Sequence, residues 1–149
     1  MIADPAALRV ELDHSRKAVA LNGLIVQKSD GVEELVRAIR DADGFELISR
    51  TQVGKYTHVD VRYPYPGLLM GVVFYLDRIT VVTICVSESA MDWQDETVER
   101  FLGLFRRSVA EIEDPKSWVR IFVGKVLQSG MPHIRVTLPD NDPAALTLH

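Results

Sequence analysis

The chain has 149 residues and a formal net charge of −4, with 47% hydrophobic and 26% charged residues. This length suits one globular domain that folds without a metal or disulfide, and the acidic balance argues against general nucleic-acid binding. The single cysteine, Cys85, excludes an internal disulfide, and no apolar run approaches the about 20 residues that span a membrane. We expect one cytoplasmic domain over residues 1–149, with mobile tails at 1–7 and 140–149.

Short strands are predicted at the beginning of the chain. Apolar and polar residues alternate over residues 8–13, which is the period of a half-buried strand. Residues 18–27 form a second β segment that Asn22 and Gly23 interrupt, and Asn-Gly is a strong signal for a tight hairpin turn.

Two amphipathic helices are predicted. The first opens at residue 29 or 30, where Asp30 and Glu33 have the spacing of a capping box. The second covers residues 92–113, where apolar residues recur at three- and four-residue steps. Each helix therefore has one apolar side to pack against a sheet.

The most apolar part of the chain is predicted to be a central hairpin. Residues 68–76 and 79–86 are two strand-length apolar runs, joined by the polar pair Asp77-Arg78. Both faces of each run are largely apolar, so we expect this hairpin in the middle of a sheet with cover on both sides. Cys85 lies inside it and is expected to be a buried, inert thiol.

Further strands are predicted around residues 45–49, 57–63, 118–127 and 133–138. Hairpins rather than helical crossovers connect most of them, which is typical of an α+β fold. We therefore predict a mostly antiparallel sheet of about six to eight strands with two helices packed on it. The sequence has no glycine-rich phosphate loop, and no histidine has a second His or Cys at metal-ligand spacing, so neither a cofactor nor a metal is predicted.

Four polar side chains are predicted to share one face of a strand, because successive side chains alternate between faces: Tyr56, His58, Asp60 and Arg62. A histidine beside a carboxylate can act as a general base, so a small enzyme using His58 and Asp60 is one alternative. An exposed sheet face has the same polar composition, and Tyr and Arg are enriched at binding hot spots. We favour a partner-binding face without catalytic residues.

Acidic residues cluster around the beginning of the second predicted helix, with no Lys or Arg among them: Glu88, Asp92, Asp95, Glu96 and Glu99. Carboxylates near a helix N-terminus are favoured by the helix dipole, which explains several of them without a function. The alternative is an acidic docking surface for a basic partner, with Trp93 as a possible anchor. These six residues complete the predicted partner-binding set.

Several segments between residues 18 and 88 follow one another in a distinctive order. A strand with Asn22-Gly23 leads into DGVEEL at 30–35, a polar strand follows, and YPGL at 65–68 enters GVVFYL at 71–76 and RIT at 78–80. This layout resembles the small α+β immunity proteins that bacteria make against their own secreted or contact-delivered toxins. The resemblance implies a cytoplasmic, non-enzymatic inhibitor that occupies the active site or substrate groove of a cognate toxin.

Our leading prediction is thus a protein-binding domain of the immunity type, acting on a toxin domain that is basic if the acidic cluster binds it. The alternatives are a chaperone for a secreted effector and the small enzyme named above. The expected partner is a protein rather than a nucleic acid or a membrane, and both a monomer and a homodimer remain open.

Overall fold

The computed structural model describes residues 9–62, 68–86, 95–108, 118–125 and 131–141. Over these residues the chain forms an α+β fold, as predicted from the sequence. In chain order its elements are β1 (Val10–Asp13), β2 (Ala18–Leu21), β3 (Leu24–Gln27), α1 (Val32–Asp41), β4 (Glu46–Val53), β5 (Tyr56–Arg62), β6 (Leu68–Tyr75), β7 (Arg78–Val86), α2 (Asp95–Ser108), β8 (Arg120–Lys125) and β9 (Pro132–Thr137).

The strands divide between two antiparallel sheets rather than forming the single sheet that we expected. The small sheet has the order β1-β2-β3, and the large sheet has the order β4-β5-β6-β7-β9-β8. The hairpin β6-β7 occupies the third and fourth positions of the large sheet, so its predicted central place is confirmed. The turn between β2 and β3 is Asn22-Gly23, as predicted, and both residues have positive φ angles of 49° and 91°.

The core lies on one face of the large sheet. Residues of β6 alternate between buried and half-buried, and Met70, Val72 and Phe74 are among the buried ones. The apolar stripe of α1 and the apolar side of the small sheet belong to the same core cluster. Helix α2 packs on this face too, because Glu99 pairs with Lys125, which shares the inner side of β8 with Val123.

The opposite face of the large sheet is covered by neither α1 nor α2, so the expectation of cover on both sides is wrong. The residues of β6 and β7 that point this way are half-buried rather than buried, and they include Leu69, Val73 and Val81. We call this the open face. Leu69, Val73 and Val81 lie in the middle strands, while the flanking strands β5, β9 and β8 contribute mainly polar and charged side chains together with the exposed ring of Phe122.

Helix α1 begins differently from the prediction. Its N-cap is Gly31, and the amide of Val32 donates to the Asp77 carboxylate at 2.8 Å, from the β6-β7 turn. Asp30 instead accepts from the Gln27 amide at 2.9 Å, so the predicted capping box is not formed. A Cβ atom on Gly31 would lie 2.8 Å from Asp77 Cγ, so the close approach of the turn requires glycine there.

The β6-β7 turn itself consists of Leu76 and Asp77, not of Asp77 and Arg78 as predicted. Both have positive φ angles, 47° and 65°, which are those of a tight two-residue hairpin turn of the primed type. The absence of glycine does not lengthen this turn. Its left-handed backbone is what places the Asp77 carboxylate beside the first turn of α1.

Two long-range contacts join the ends of the described chain to the rest. Trp118 is buried and its Nε1 donates to His14 Nδ1 at 3.1 Å. Asn141 is buried in a 3-10 helix, Pro139–Asn141, and its amide donates to the carbonyls of Lys28 and Ile79, each at 2.9 Å. The predicted mobile tail is therefore wrong for residues 140 and 141, while 1–8 and 142–149 lie outside the described residues.

Candidate partner-binding surface

The open face is organised in rows that run across the strands, because directly opposed residues of antiparallel strands point to the same side. The central row consists of Asp60, Gly71, Thr83, Arg135 and Phe122, on β5, β6, β7, β9 and β8. With neighbouring strands about 4.8 Å apart, this row is about 19 Å wide. That width is comparable to a protein-binding patch rather than to a narrow catalytic cleft.

The strand face predicted from the sequence lies on the open face. Tyr56, His58, Asp60 and Arg62 all point outward from β5, and the last three are exposed. The ring of Tyr56 is half-buried against Tyr75 on β6, with 5.0 Å between the ring centroids. The alternation of β5 was thus interpreted correctly.

The same side chains do not assemble into a catalytic pair. Asp60 accepts a hydrogen bond from the Ser49 hydroxyl at 2.9 Å, and Arg62 pairs with Glu46 at 3.0 Å. Within the described part of the chain, no hydrogen bond joins His58 to Asp60. The carboxylate that a general base would need is therefore engaged with the edge strand β4.

Gly71, between Asp60 and Thr83, contributes no side chain to the face, and the neighbouring side chains lie close over its backbone. A Cβ atom there would lie 3.1 Å from Thr83 Oγ1 and 3.7 Å from the Asp60 carboxylate. The Thr83 hydroxyl donates to the Gly71 carbonyl at 3.4 Å. The middle of the open face thus presents backbone and small polar groups between its charged margins.

Cys85 lies on this face, directly opposite His133 of β9. The thiol is half-buried rather than buried, which corrects the expectation from the sequence. Burial raises its pKa, and the negative charge of Asp60 raises it further. The thiol is therefore held protonated, which does not favour a nucleophile.

The far end of the open face carries an aromatic and basic cluster that the sequence interpretation missed. Phe122 of β8 is exposed, the Arg135 guanidinium lies 5.4 Å from its ring centroid, and the His133 ring lies 5.5 Å away. Arg120 projects from the same side of β8. Alternation along β8 and β9 could have indicated the face, but only the pairing register brings the two strands together.

His133 differs from His14 and His58 because it is buried, and its Nδ1 has no hydrogen-bond partner. Burial lowers its pKa, the positive charge of Arg135 lowers it further, and a backbone hydrogen bond with Gly124 acts in the opposite direction. His133 is therefore neutral near pH 7, and the cluster's positive charge comes from its arginines.

The described part of the predicted acidic surface, Glu96 and Glu99, lies on the side of the large sheet opposite the open face. Glu96 and Glu99 are exposed on α2, which packs on the core side of the large sheet. Glu99 pairs with Lys125 at 2.7 Å, and this hydrogen bond and charge lower the pKa of its carboxyl. Glu88, Asp92 and Trp93, and the side chain of Asp95, lie outside what the structure describes.

The Tyr56–Arg62 strand and the described carboxylates of α2 therefore lie on different sides of the large sheet. A partner that contacts the Tyr56–Arg62 strand approaches the open face, whereas a partner that contacts Glu96 approaches from the helical side. Each surface has to be tested separately.

A shallow hollow of about 210 Å³ lies on the small sheet, away from both surfaces. It is below the about 300–1,000 Å³ that is typical of small-molecule sites. Apolar and charged residues line it: Glu11, Leu12, Asp13, Arg16, Ala18, Ala20 and Ile25. Asp13 is already engaged by the Ser15 hydroxyl and the Arg16 amide, which lower the pKa of its carboxyl.

Neither a metal cluster nor a membrane-spanning helix occurs among the described residues. Among them, no three His, Cys, Asp or Glu side chains are grouped so that they could hold a metal ion. Neither helix, over its described length, is long and apolar enough to cross a bilayer.

Comparison with family models, with curated proteins and with solved structures found no match for this chain. Functional inference therefore depends on the residues and their arrangement.

Proposed function

We propose that this chain is a non-enzymatic protein-binding domain that recognises its partner through the open face. The observation that carries the proposal is that β5, β8 and β9 present aromatic and charged side chains on a sheet face that α1 and α2 leave uncovered. Tyr, Arg and Phe are the residue types that dominate binding energy at protein interfaces. A face about 19 Å wide can supply the contact area that a stable complex needs.

An enzyme is the weaker alternative. A general base requires a positioned carboxylate or an accessible proton acceptor, and Asp60 is occupied by Ser49 rather than by His58. Cys85 is held in the thiol form by its surroundings. These contacts support binding as the role of the open face.

We further propose that the partner is a toxin and that the chain is its immunity protein. The support is the layout of residues 18–88, which resembles such inhibitors. In this role the chain acts in the cytoplasm, and Tyr56, His58, Asp60 and Arg62 contact the toxin. A binding protein of this kind needs no cofactor.

The test is to search the genes adjacent to this chain's gene for a toxin and to co-express that toxin with the chain, with cell growth as the readout. Wild-type chain should restore growth and form a 1:1 complex with the purified toxin. Arg62→Glu should abolish rescue, because it reverses an exposed charge within the proposed contact. Arg37→Glu is the matched control, since Arg37 is exposed on α1, away from the open face.

The proposal fails if folded Arg62→Glu and Tyr56→Ala variants both rescue growth and bind with unchanged affinity. Circular dichroism and a thermal melt establish folding, because Arg62 also pairs with Glu46. If His58→Ala abolished a catalytic activity and kept its affinity for the partner, the alternative of a small enzyme would be favoured.

A chaperone for a secreted effector is a second candidate, because β4 is a free edge in the described part of the large sheet. All of its residues except Ser49 are exposed, including Ile48 and Val53, which are 46% and 64% exposed. Such an edge can pair with an extended effector segment. Two results would favour this candidate. The chain would form a stable dimer in sedimentation, and Ile48→Lys would abolish effector binding while Arg62→Glu would leave it unchanged.

The acidic end of α2 provides a separate hypothesis for a basic partner. Glu96 and Glu99 are exposed, although Lys125 partly neutralises Glu99. Reversing both carboxylates to Lys should slow association and flatten its salt dependence. Unchanged association kinetics would remove α2 from the binding surface.

A further inference from the structure

The exposed ring of Phe122 is held in a defined position at the β8 end of the open face. It is 45% exposed, although it is a large apolar side chain. One side of the ring folds back over Gly124, since a Cβ atom on Gly124 would lie 2.8 Å from Phe122 Cε1. His133 contacts the ring from β9. An exposed aromatic ring that neighbouring residues position is suited to receive a partner with little loss of conformational entropy.

Two arginines flank this ring, and no carboxylate among the described residues pairs with either. Arg135 lies over Phe122, with its Cζ 5.4 Å from the ring centroid, and Arg120 is two residues before Phe122 on the same side of β8. Arg62, at the other end of the face, is by contrast paired with Glu46. The β8 end of the open face is thus locally positive in a chain whose net charge is −4.

A further polar group beside the ring lacks a partner. His133 is 9% exposed, and its Nδ1 makes no hydrogen bond. Burial of a polar atom without a hydrogen bond costs free energy, so such an atom is an indication of a missing partner group. Its neighbours on the open face are Cys85, Phe122 and Arg135.

We propose that Arg120, Phe122 and Arg135 form a docking site for an acidic segment of the partner protein. Carboxylates of that segment pair with the two guanidinium groups, which present rigid, planar sets of donors. An apolar or aromatic side chain between those carboxylates packs on the exposed face of Phe122. The inference rests on the proposed function, because it assigns the chemistry of one part of the partner that the open face binds.

An aromatic ring with flanking arginines can also stack on a base of single-stranded nucleic acid. The charge balance favours the peptide. Binding of nucleic acid depends on neutralising many phosphates, and this site supplies only two arginines on an acidic chain. Nucleic acid is therefore an outcome of the test and not part of the proposal.

The test uses a fluorescein-labelled nonapeptide in which two phenylalanines each lie between glutamates. Its controls are the same peptide with every glutamate replaced by lysine, and a ten-nucleotide oligothymidine. Fluorescence anisotropy gives the affinity, and amide and arginine side-chain signals in NMR spectra locate the contact. The acidic peptide should bind, should shift signals of Arg120 and Arg135, and should bind more weakly as salt is added.

Three variants of the full chain test the residues individually. Arg135→Gln and Arg120→Gln should each weaken the acidic peptide about tenfold, the cost expected for a lost charge-assisted contact. Gly124→Ala should weaken it by displacing the Phe122 ring. Arg37→Gln, the same charge change on α1, should leave binding unchanged. Because Arg120 and Arg135 are exposed, their variants keep the fold testable.

Any of three results would overturn the acidic-segment proposal. The lysine peptide would bind as tightly as the acidic peptide, the oligothymidine would bind more tightly, or folded Arg120→Gln and Arg135→Gln would bind the acidic peptide with unchanged affinity. The growth assay separates this failure from that of the proposed function. If Arg62→Glu still abolishes rescue, the open face binds its partner without an acidic segment at β8. If neither assay responds, both proposals fail.

Discussion

Replacing Asp77 with alanine should destabilise the fold by disconnecting helix α1 from the central hairpin. The Asp77 carboxylate accepts the Val32 amide at 2.8 Å, where α1 begins with a glycine that cannot cap it. Loss of a helix cap costs about 1–2 kcal/mol. Alanine in the left-handed conformation of Asp77, φ 65°, adds about 1 kcal/mol. The total of about 2–3 kcal/mol corresponds to a Tm lower by about 4–12 °C for a chain of this size.

Companion variants separate the two contributions. Asp77→Asn retains an acceptor and tolerates positive φ, so it should cost less than Asp77→Ala. Asp77→Gly loses the cap without the backbone penalty and should fall between them. Gly31→Ala places a Cβ atom 2.8 Å from Asp77 Cγ, so it should be costly in the wild type and much less costly together with Asp77→Ala.

Urea denaturation followed by circular dichroism measures these free energies of unfolding. The decisive comparison is Asp30→Ala, because a capping box at Asp30 would make that residue the helix cap. The Asp30 carboxylate accepts from the Gln27 amide instead, so Asp30→Ala should cost less than Asp77→Ala. The assignment of the cap would be refuted if Asp30→Ala lowered the free energy of unfolding more than Asp77→Ala does. It would also be refuted if the losses of Gly31→Ala and Asp77→Ala simply added in the double variant.

Three further predictions concern other parts of the fold. Asn141→Ala should lower the free energy of unfolding by about 2–3 kcal/mol, because it removes two hydrogen bonds and leaves backbone carbonyls unpaired at a buried site. His133 has a pKa lowered from 6.5 in the folded state, so the unfolded chain binds more protons and stability should fall as pH drops below about 6.5. Leu76→Asn should stabilise the β6-β7 turn by about 1 kcal/mol, since asparagine tolerates the left-handed conformation at φ 47° better than leucine.

Each of these has its own check. Urea titration of Asn141→Ala measures the predicted loss of free energy of unfolding. A loss as small as that of a typical surface substitution would contradict a stabilising role for the two Asn141 hydrogen bonds. Thermal melts of wild type and His133→Gln between pH 5 and 7.5 should differ in slope, with a flatter profile for the variant; parallel profiles would exclude His133 as the source. A lower Tm for Leu76→Asn would show that the leucine side chain stabilises the turn by its packing.

Local patterns in the sequence predicted several elements correctly. The alternation of polar and apolar residues in β5 placed His58 and Asp60 on one face, because side chains in a strand alternate whatever surrounds them. The turn at Asn22-Gly23 was predictable for the same reason, since these two residues adopt positive φ with little strain. The composition of the central hairpin likewise indicated its place in the middle of the sheet.

The cap of α1 depended on tertiary structure. Asp30 and Glu33 have the right spacing for a local cap, but a turn 45 residues further along the chain supplies the acceptor. The burial of Asn141 was equally hidden, because its partners Lys28 and Ile79 are distant in sequence. A polar residue near a chain end suggests disorder unless its long-range hydrogen bonds are known.

The open face shows most clearly which features followed from the local sequence and which depended on tertiary structure. The sequence by itself determined which side chains of each strand point in the same direction, since that depends only on the strand period. Which of the two sides is covered, and that Phe122 lies beside Arg135, depends on the register of β8 against β9 and on the side to which α1 and α2 pack. Register and packing result from contacts between distant residues, so no local pattern could reveal the basic cluster.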